Sequence, residues 1–135
     1  MSDALKKEYE SFLREDSGWH EASVDLAARV LSEFSDEDWS WLLESISNRP
    51  PYWQERCADA VGTLGDSKGV PVLIKILHCE SLDVASIAAT QLDDMEVKLP
   101  VSYKKKLQQL ENFLETQEGS RIEDVRRLIG NIKEI

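Results

Sequence analysis

Two histidines and two cysteines, His20, His78, Cys57 and Cys79, are the residues of this chain best suited to metal or nucleophilic chemistry. His20 is followed by Glu21, a pair that serves a metal only where several ligands converge. Thirty-one residues further on the same positions hold Pro51 and Tyr52, and after the same interval again Leu82 and Asp83, so no second pair joins it. His20-Glu21 therefore reads as a helix-start pair. His78-Cys79 with Cys57 would make a soft-metal set, but zinc ligands usually come closely paired, as in C-x₂₋₄-C, and neither cysteine has such a neighbour. A histidine favoured by the dipole at a helix C-terminus, beside a buried thiol, accounts for that pair. Neither histidine stands at a spacing that signals nucleophilic catalysis. Gly62, Gly65 and Gly69 lack the phosphate-loop pattern and fall where helices pack or end. No catalytic residue, cofactor or metal is expected, and the chain reads as a non-enzyme.

Charge says more. The 135 residues carry 26 Asp and Glu against 16 Lys and Arg, a net charge of −10. Phosphate binding rests on clustered Lys and Arg, so nucleic acid and anionic membrane surfaces are disfavoured as partners. Basic partners remain, or simply solubility. The charge is also located: residues 1–100 sum to −11 and residues 101–135 to +1. Lys104-Lys105-Lys106 reads as a solvated helix face. Glu33, Asp36, Glu37 and Asp38 gather at one helix junction, and Asp66 sits at the equivalent junction one interval later. Acids in a first turn complement the helix dipole, which is sufficient cause for them. Solvated capping side chains also remain available to a partner. Asp25, Glu55 and Asp59 lie off the apolar stripes and are expected to be exposed together. Trp39 and Trp53 fall on core stripes. Trp41 lies about 200° around from Trp39 at ~100° per residue; it is either an exposed anchor beside carboxylates or covered by a neighbouring helix. Tyr52, next to Pro50-Pro51, is a lesser candidate of the same kind.

The elements that position these residues follow from breakers and apolar spacing. With 41% hydrophobic and 31% charged residues the chain suits one globular domain. The longest run free of charged or polar residues, Gly69-Val-Pro-Val-Leu-Ile74, is far short of the ~20 residues of a membrane span. Asp3, Lys6, Lys7, Glu8 and Glu10 leave no signal-peptide apolar region, and with two reduced, buried cysteines a cytoplasmic location is expected. Eight helices are predicted. The first starts at Ser2 or Asp3 and turns Leu5, Tyr9, Phe12 and Leu13 inward. The second carries Val24, Ala27, Ala28, Leu31 and Phe34. Ser35-Asp-Glu-Asp38 resembles a capping box and opens the third, with Trp39, Leu42, Leu43 and Ile46 inward. Pro51 suits the first position of the fourth, which ends at Gly65. Val70 to Leu77 form the fifth, Ser81 caps the sixth, and Pro100 opens the seventh. Ser120-Arg-Ile-Glu123 is a second capping-box pattern, opening a helix with Val125, Leu128 and Ile132 inward. The class is all-α.

A shift of 31 residues aligns Trp39–Ile46 with Val70–Leu77 without a gap. It also pairs Leu26-Ala27 with Cys57-Ala58 and Ala88-Ala89, and Val30 with Val61 and Leu92. Small residues recur where helices approach closely, as stacked antiparallel pairs require. Trp53-Gln-Glu-Arg-Cys-Ala-Asp-Ala-Val-Gly-Thr-Leu-Gly-Asp66, followed by Gly69–Leu77, resembles a HEAT-type repeat, of the short subclass of the phycobilin-lyase-like repeats. The match is good over residues 51–95, fair over 19–50 and faint beyond Pro100. Gln54 stands where such repeats often have Arg, and Thr90-Gln91 interrupts their Ala-Leu-Gly rhythm. The resemblance implies a single HEAT-like domain: a cap helix over 1–18, repeats over 19–99 and cap helices over 100–135. Small, acidic, cytoplasmic proteins with such repeats resemble immunity proteins of bacterial polymorphic-toxin systems, including contact-dependent growth inhibition. That implies one cognate toxin domain as partner, expected to be basic and of the nuclease type, bound and neutralised. The candidate contact residues are Asp25, Glu33, Asp36, Glu37, Asp38, Trp41, Tyr52, Glu55 and Asp59. A HEAT-like adaptor or scaffold is the alternative, and a lyase-like enzyme a third reading.

Overall fold

A computed structural model describes residues 2–14 and 18–132. Among them are eight α-helices and no strand: α1 (Ser2–Leu13), α2 (Glu21–Leu31), α3 (Asp36–Ser45), α4 (Pro51–Leu64), α5 (Val70–Leu77), α6 (Leu82–Asp94), α7 (Lys104–Leu114) and α8 (Arg121–Gly130). The class expected from the spacing is the class found. No helix among the described residues is long and apolar enough to cross a membrane.

Most helix ends obey local chemistry. Ser35 accepts from the Asp38 amide at 3.2 Å while Asp38 Oδ2 accepts from the Ser35 amide at 3.0 Å, a closed capping box. Proline stands at the start of α4, and Gly65 ends that helix with φ +70°, a conformation that a side chain would strain. Ser81 accepts from the Val84 amide at 3.3 Å. Two expectations fail. Ser120 does not cap α8: its backbone is already helical, at φ −103° and ψ −1°, which turns the hydroxyl away from the first-turn amides. The sharp turn preceding it is made by Gly119 at φ +126°. Pro100 opens a 3₁₀ turn, Val101–Tyr103, and α7 follows only at Lys104.

The even helices form a row, with α2 packed on α4, α4 on α6 and α6 on α8. Of the odd helices, α1 touches α3 and α3 touches α5, while α7 packs on α8. The 31-residue shift marks equivalent buried positions along the row: Ala27, Ala58 and Ala89, then Val30, Val61 and Leu92. Leu26 departs from it. Its counterparts Cys57 and Ala88 are buried, but α2 begins the row and Leu26 is exposed. Close approach also explains Gly69, where a Cβ would stand 2.4 Å from Val61 Cγ1.

The core changes character along the chain. At the N-terminal end it is aromatic: Phe34 packs edge-on against Tyr9 and Trp39, each at 5.7 Å between centroids, and Tyr9 against Trp53 at 6.2 Å. Towards α7 and α8 it is aliphatic, built on Leu92, Leu99, Leu107, Leu110, Val125 and Leu128. Burying each such leucine contributes roughly 1.5–3 kcal/mol. Trp39 and Trp53 are core residues, as their stripes require. Gln54 is buried too, and its Nε2 donates to the Ile46 carbonyl at 2.9 Å, tying α4 to the end of α3. Both cysteines are free. Cys57 lies in the core beside the Tyr9 hydroxyl, where burial pushes its thiol up to about 12. Cys79 is only half-buried, against the expectation that both would be covered, because it lies in the turn between α5 and α6.

Candidate protein-binding face

The acids fall into two settings. At the α2–α3 junction Glu33, Asp36 and Glu37 are exposed, as the spacing predicts. Asp38 is not available to a partner: it is 1% exposed, because closing the capping box folds its carboxylate under the first turn of α3. Asp36 meets Lys68 at 3.3 Å with both side chains largely in water, where a pair contributes little. Asp66 is also exposed and accepts from the Lys68 amide at 3.0 Å. Asp25 is exposed on α2.

On α4 the setting differs. Glu55 and Asp59, one turn apart, are half-buried rather than open. Trp19, just before α2, donates its indole N–H to Asp59 Oδ2 at 3.2 Å. Burial raises the Asp59 carboxyl above its ordinary value; the Trp19 bond and the charge of Arg121 oppose this. Glu55 is raised by burial, then by Asp59 and Asp83, with Arg121 and Arg56 opposing. Arg56 stacks on Trp19 at 5.6 Å and on Tyr52 at 5.4 Å, and donates to the carbonyls of Leu13 and Arg14. It thereby pins the end of α1 to α4.

Trp41 is half-buried, with Phe34 edge-on at 6.5 Å and the Lys6 ammonium of α1 5.3 Å from its ring centre. A neighbouring helix covers one face of it. Tyr52 is half-buried under Arg56. The structure thus brings Tyr52, Glu55 and Asp59 into one neighbourhood and leaves Asp25, the junction acids and Trp41 apart from the contacts that define it.

Three residues of that neighbourhood escaped the sequence reading: Trp19, Asp83 and Arg121. Arg121, at the start of α8, donates to Asp83 Oδ1 at 3.0 Å and to the buried Ser86 hydroxyl at 2.7 Å. Ser86 and Thr90 are the counterparts of Glu55 and Asp59 under the 31-residue shift. The shift is the signal that would have pointed across α6. Further along, Arg127 grips Asp93 through Nε and Nη2 at 2.9–3.0 Å and also reaches Asp124 Oδ1 at 3.0 Å. Thr90 completes the network by donating to Asp124 Oδ2 at 2.9 Å.

Among the described residues no group of three or more His, Cys, Asp and Glu is placed to hold a metal ion. His78 ends α5, its Nδ1 2.9 Å from the Ile74 carbonyl and its ring 5.1 Å from Tyr103. A shallow groove of about 510 Å³ runs past it, lined by Arg49, Gln54, Lys75 and Glu80 among others. Two of its polar groups are already used: Lys75 donates to the Leu43 carbonyl at 2.7 Å, and Arg49 pairs with Glu10. Compared with protein-family models, curated proteins and solved structures, the chain matches none.

Proposed function

We propose that this protein is a binding module for a basic protein, acting as an immunity-type inhibitor of a cognate toxin domain. The observation that carries the reading is the separation of charge. Asp83, Asp93, Glu111 and Asp124 are each clasped by an arginine of α8, while Asp25, Glu33, Glu37, Glu55 and Asp59 have no ion pair among the described residues. A negative field on a rigid frame steers a positively charged partner and suppresses wrong ones. The row of even helices, with small residues recurring at 31-residue intervals, supports a HEAT-like stack as that frame. A cytoplasmic site of action fits the same reading.

Mixing the protein with the product of the adjacent gene tests it. The expected result is a stable complex that weakens with salt and in which the partner's toxic activity is lost. Absence of a complex at low ionic strength overturns the reading.

A further inference from the structure

The groove past His78 shares no lining residue with the acidic face and is independent of the basic-partner reading. Its volume, about 510 Å³, falls within the roughly 300–1,000 Å³ of small-molecule sites. Arg49, Lys75 and His78 line it, and Glu80 is the one acid among its described lining residues. The internal contacts of these groups leave donors over. Lys75 gives one of its three N–H bonds to the neutral Leu43 carbonyl and has no ion pair among the described residues, so its charge is uncompensated. Arg49 pairs with Glu10 through Nη2, which leaves most of its five N–H donors. His78 is exposed; a carbonyl only accepts, so the contact with Ile74 puts a proton on Nδ1 and leaves Nε2 open. Burial raises the Cys79 thiol in the same groove, while its bond to the Ser81 backbone and the charge of Lys106 oppose this, so a cation of α7 also bears on the site.

Gln54 singles this groove out. Its side chain belongs to a residue only 8% exposed, yet its one hydrogen bond among the described residues runs from Nε2 to the Ile46 carbonyl. The second N–H and Oε1 are unused on a residue that lines the groove, and a covered amide left half-satisfied is unfavourable. We propose that the groove binds a small molecule through its phosphate group, with Lys75, His78 and the unused N–H of Gln54 as donors and Arg49 beside them. A phosphate fits because it carries nearly two negative charges and several strong acceptor oxygens, which take bonds from donors on different elements. The ligand is small rather than a nucleic acid. A strand would run past the acids of a chain whose net charge is −10, whereas a single group is screened from charges beyond about 8 Å at physiological ionic strength.

The full-length ¹⁵N-labelled protein is titrated with inorganic phosphate and with glycerol phosphate, ionic strength being held constant with sodium chloride, and followed by NMR. The expected result is saturable movement of the Gln54 side-chain amide and of the His78 and Glu80 backbone amides, absent with chloride alone. Tighter binding of glycerol phosphate supports an organic phosphate ester as the ligand; equal affinities support free phosphate. Lys75→Gln, which can still donate to the Leu43 carbonyl, weakens binding about tenfold. Glu80→Gln removes the groove's acid from an exposed position and tightens binding about threefold. A role in packing alone moves neither affinity, and the Glu80 variant keeps the test decisive if the Lys75 variant is unstable. Shifts that grow without saturating, or that miss Gln54, overturn the proposal, as does identical binding by Glu80→Gln and the parent. None of these outcomes bears on the basic-partner reading, which concerns other residues.

Discussion

The α6–α8 region and the α2–α4 region carry similar kinds of acids and treat them in opposite ways. In the first, Asp83, Asp93, Glu111 and Asp124 each meet an arginine of α8, and the pairs tie α8 to α6 and α7. In the second, Asp38 serves the backbone, Asp36 has only the solvated Lys68 contact, and Asp25, Glu33, Glu37, Glu55 and Asp59 stand without an ion pair among the described residues. The near-neutral C-terminal stretch is therefore a neutralising layer for part of the acidity that precedes it. Asp94 of α6 and Glu123 of α8 also stand without an ion pair, so the contrast is one of degree: no acid of α2 or α4 has one among the described residues. Charge in one region holds helices together; in the other much of it has no counter-charge among the described residues.

The sharpest way to break this contrast is Arg127→Ala. It strips a two-pronged clasp from Asp93, whose side chain is only 7% exposed, and from Asp124. A carboxylate left covered without its cation is strongly unfavourable. This variant is expected to show a larger fall in denaturant midpoint than any loss of a cap or of a solvated acid. Arg127→Lys should fall between it and the parent, because an ammonium keeps the charge and loses the fork. Equal stability of all three would mean that the α6–α8 pairs are incidental.

Next in size is the one junction acid that belongs with the structural class. Asp38→Ala opens the capping box of α3 and should cost about 1–2 kcal/mol in urea unfolding. Glu37→Gln, one residue away and solvated, should stay within about 0.5 kcal/mol. If the two variants behave alike, the distinction drawn between buried and open acids fails.

Much of the fold was legible because helix starts and stops are local events. Ser35, Pro51, Gly65 and Ser81 act within a few residues of themselves, and the apolar spacing between them assigned Trp39 and Trp53 to the core. Ser120 misled because the backbone of Gly119, not the residue types from 120 to 123, sets that helix entry. The 31-residue shift located the repeating small residues but not the position of α8, since it does not reproduce the spacing beyond Pro100. Hence the Arg121–Asp83 and Arg127–Asp93 pairs, 38 and 34 residues apart, were invisible. The Trp19–Asp59 bond spans 40 residues and depends on how Trp19, just before α2, lies against α4. Trp41 could be placed off its stripe, but which helix covered it depended on α1 packing.

A smaller effect separates the two kinds of unpaired acid by pH. Burial raises the folded-state pKa of Asp59, so the folded protein holds that proton more tightly than the unfolded chain. Stability from this group declines as pH rises from the unfolded carboxylate value, about 4, through the raised folded value, and is constant above it. Asp59→Asn keeps an acceptor for the Trp19 indole and removes the titration. Its unfolding free energy should fall less over that window, and at neutral pH it should match or exceed the parent. A parallel pH profile for parent and variant would place Asp59 with the fully solvated acids.

The smallest expected change in stability is the most telling about purpose. Glu33→Gln, Asp36→Asn and Glu37→Gln together remove three negative charges from exposed positions whose only ion pair among the described residues is the solvated Asp36–Lys68 contact. The Ser35–Asp38 box is untouched, so α3 keeps its cap; losing the first-turn acids Asp36 and Glu37 costs about 0.3–0.5 kcal/mol each at low salt and less when screened. Raised salt should therefore bring the triple variant to the stability of the parent. Association with a basic partner should respond differently. These charges contribute long-range steering, so the variant should associate more slowly, chiefly at low ionic strength, with little change in dissociation. Stopped-flow mixing over a salt series measures both rates. If the association rate is unchanged at every salt concentration, the junction acids serve capping and solubility, and functional acidity is confined to the half-buried carboxylates of α4.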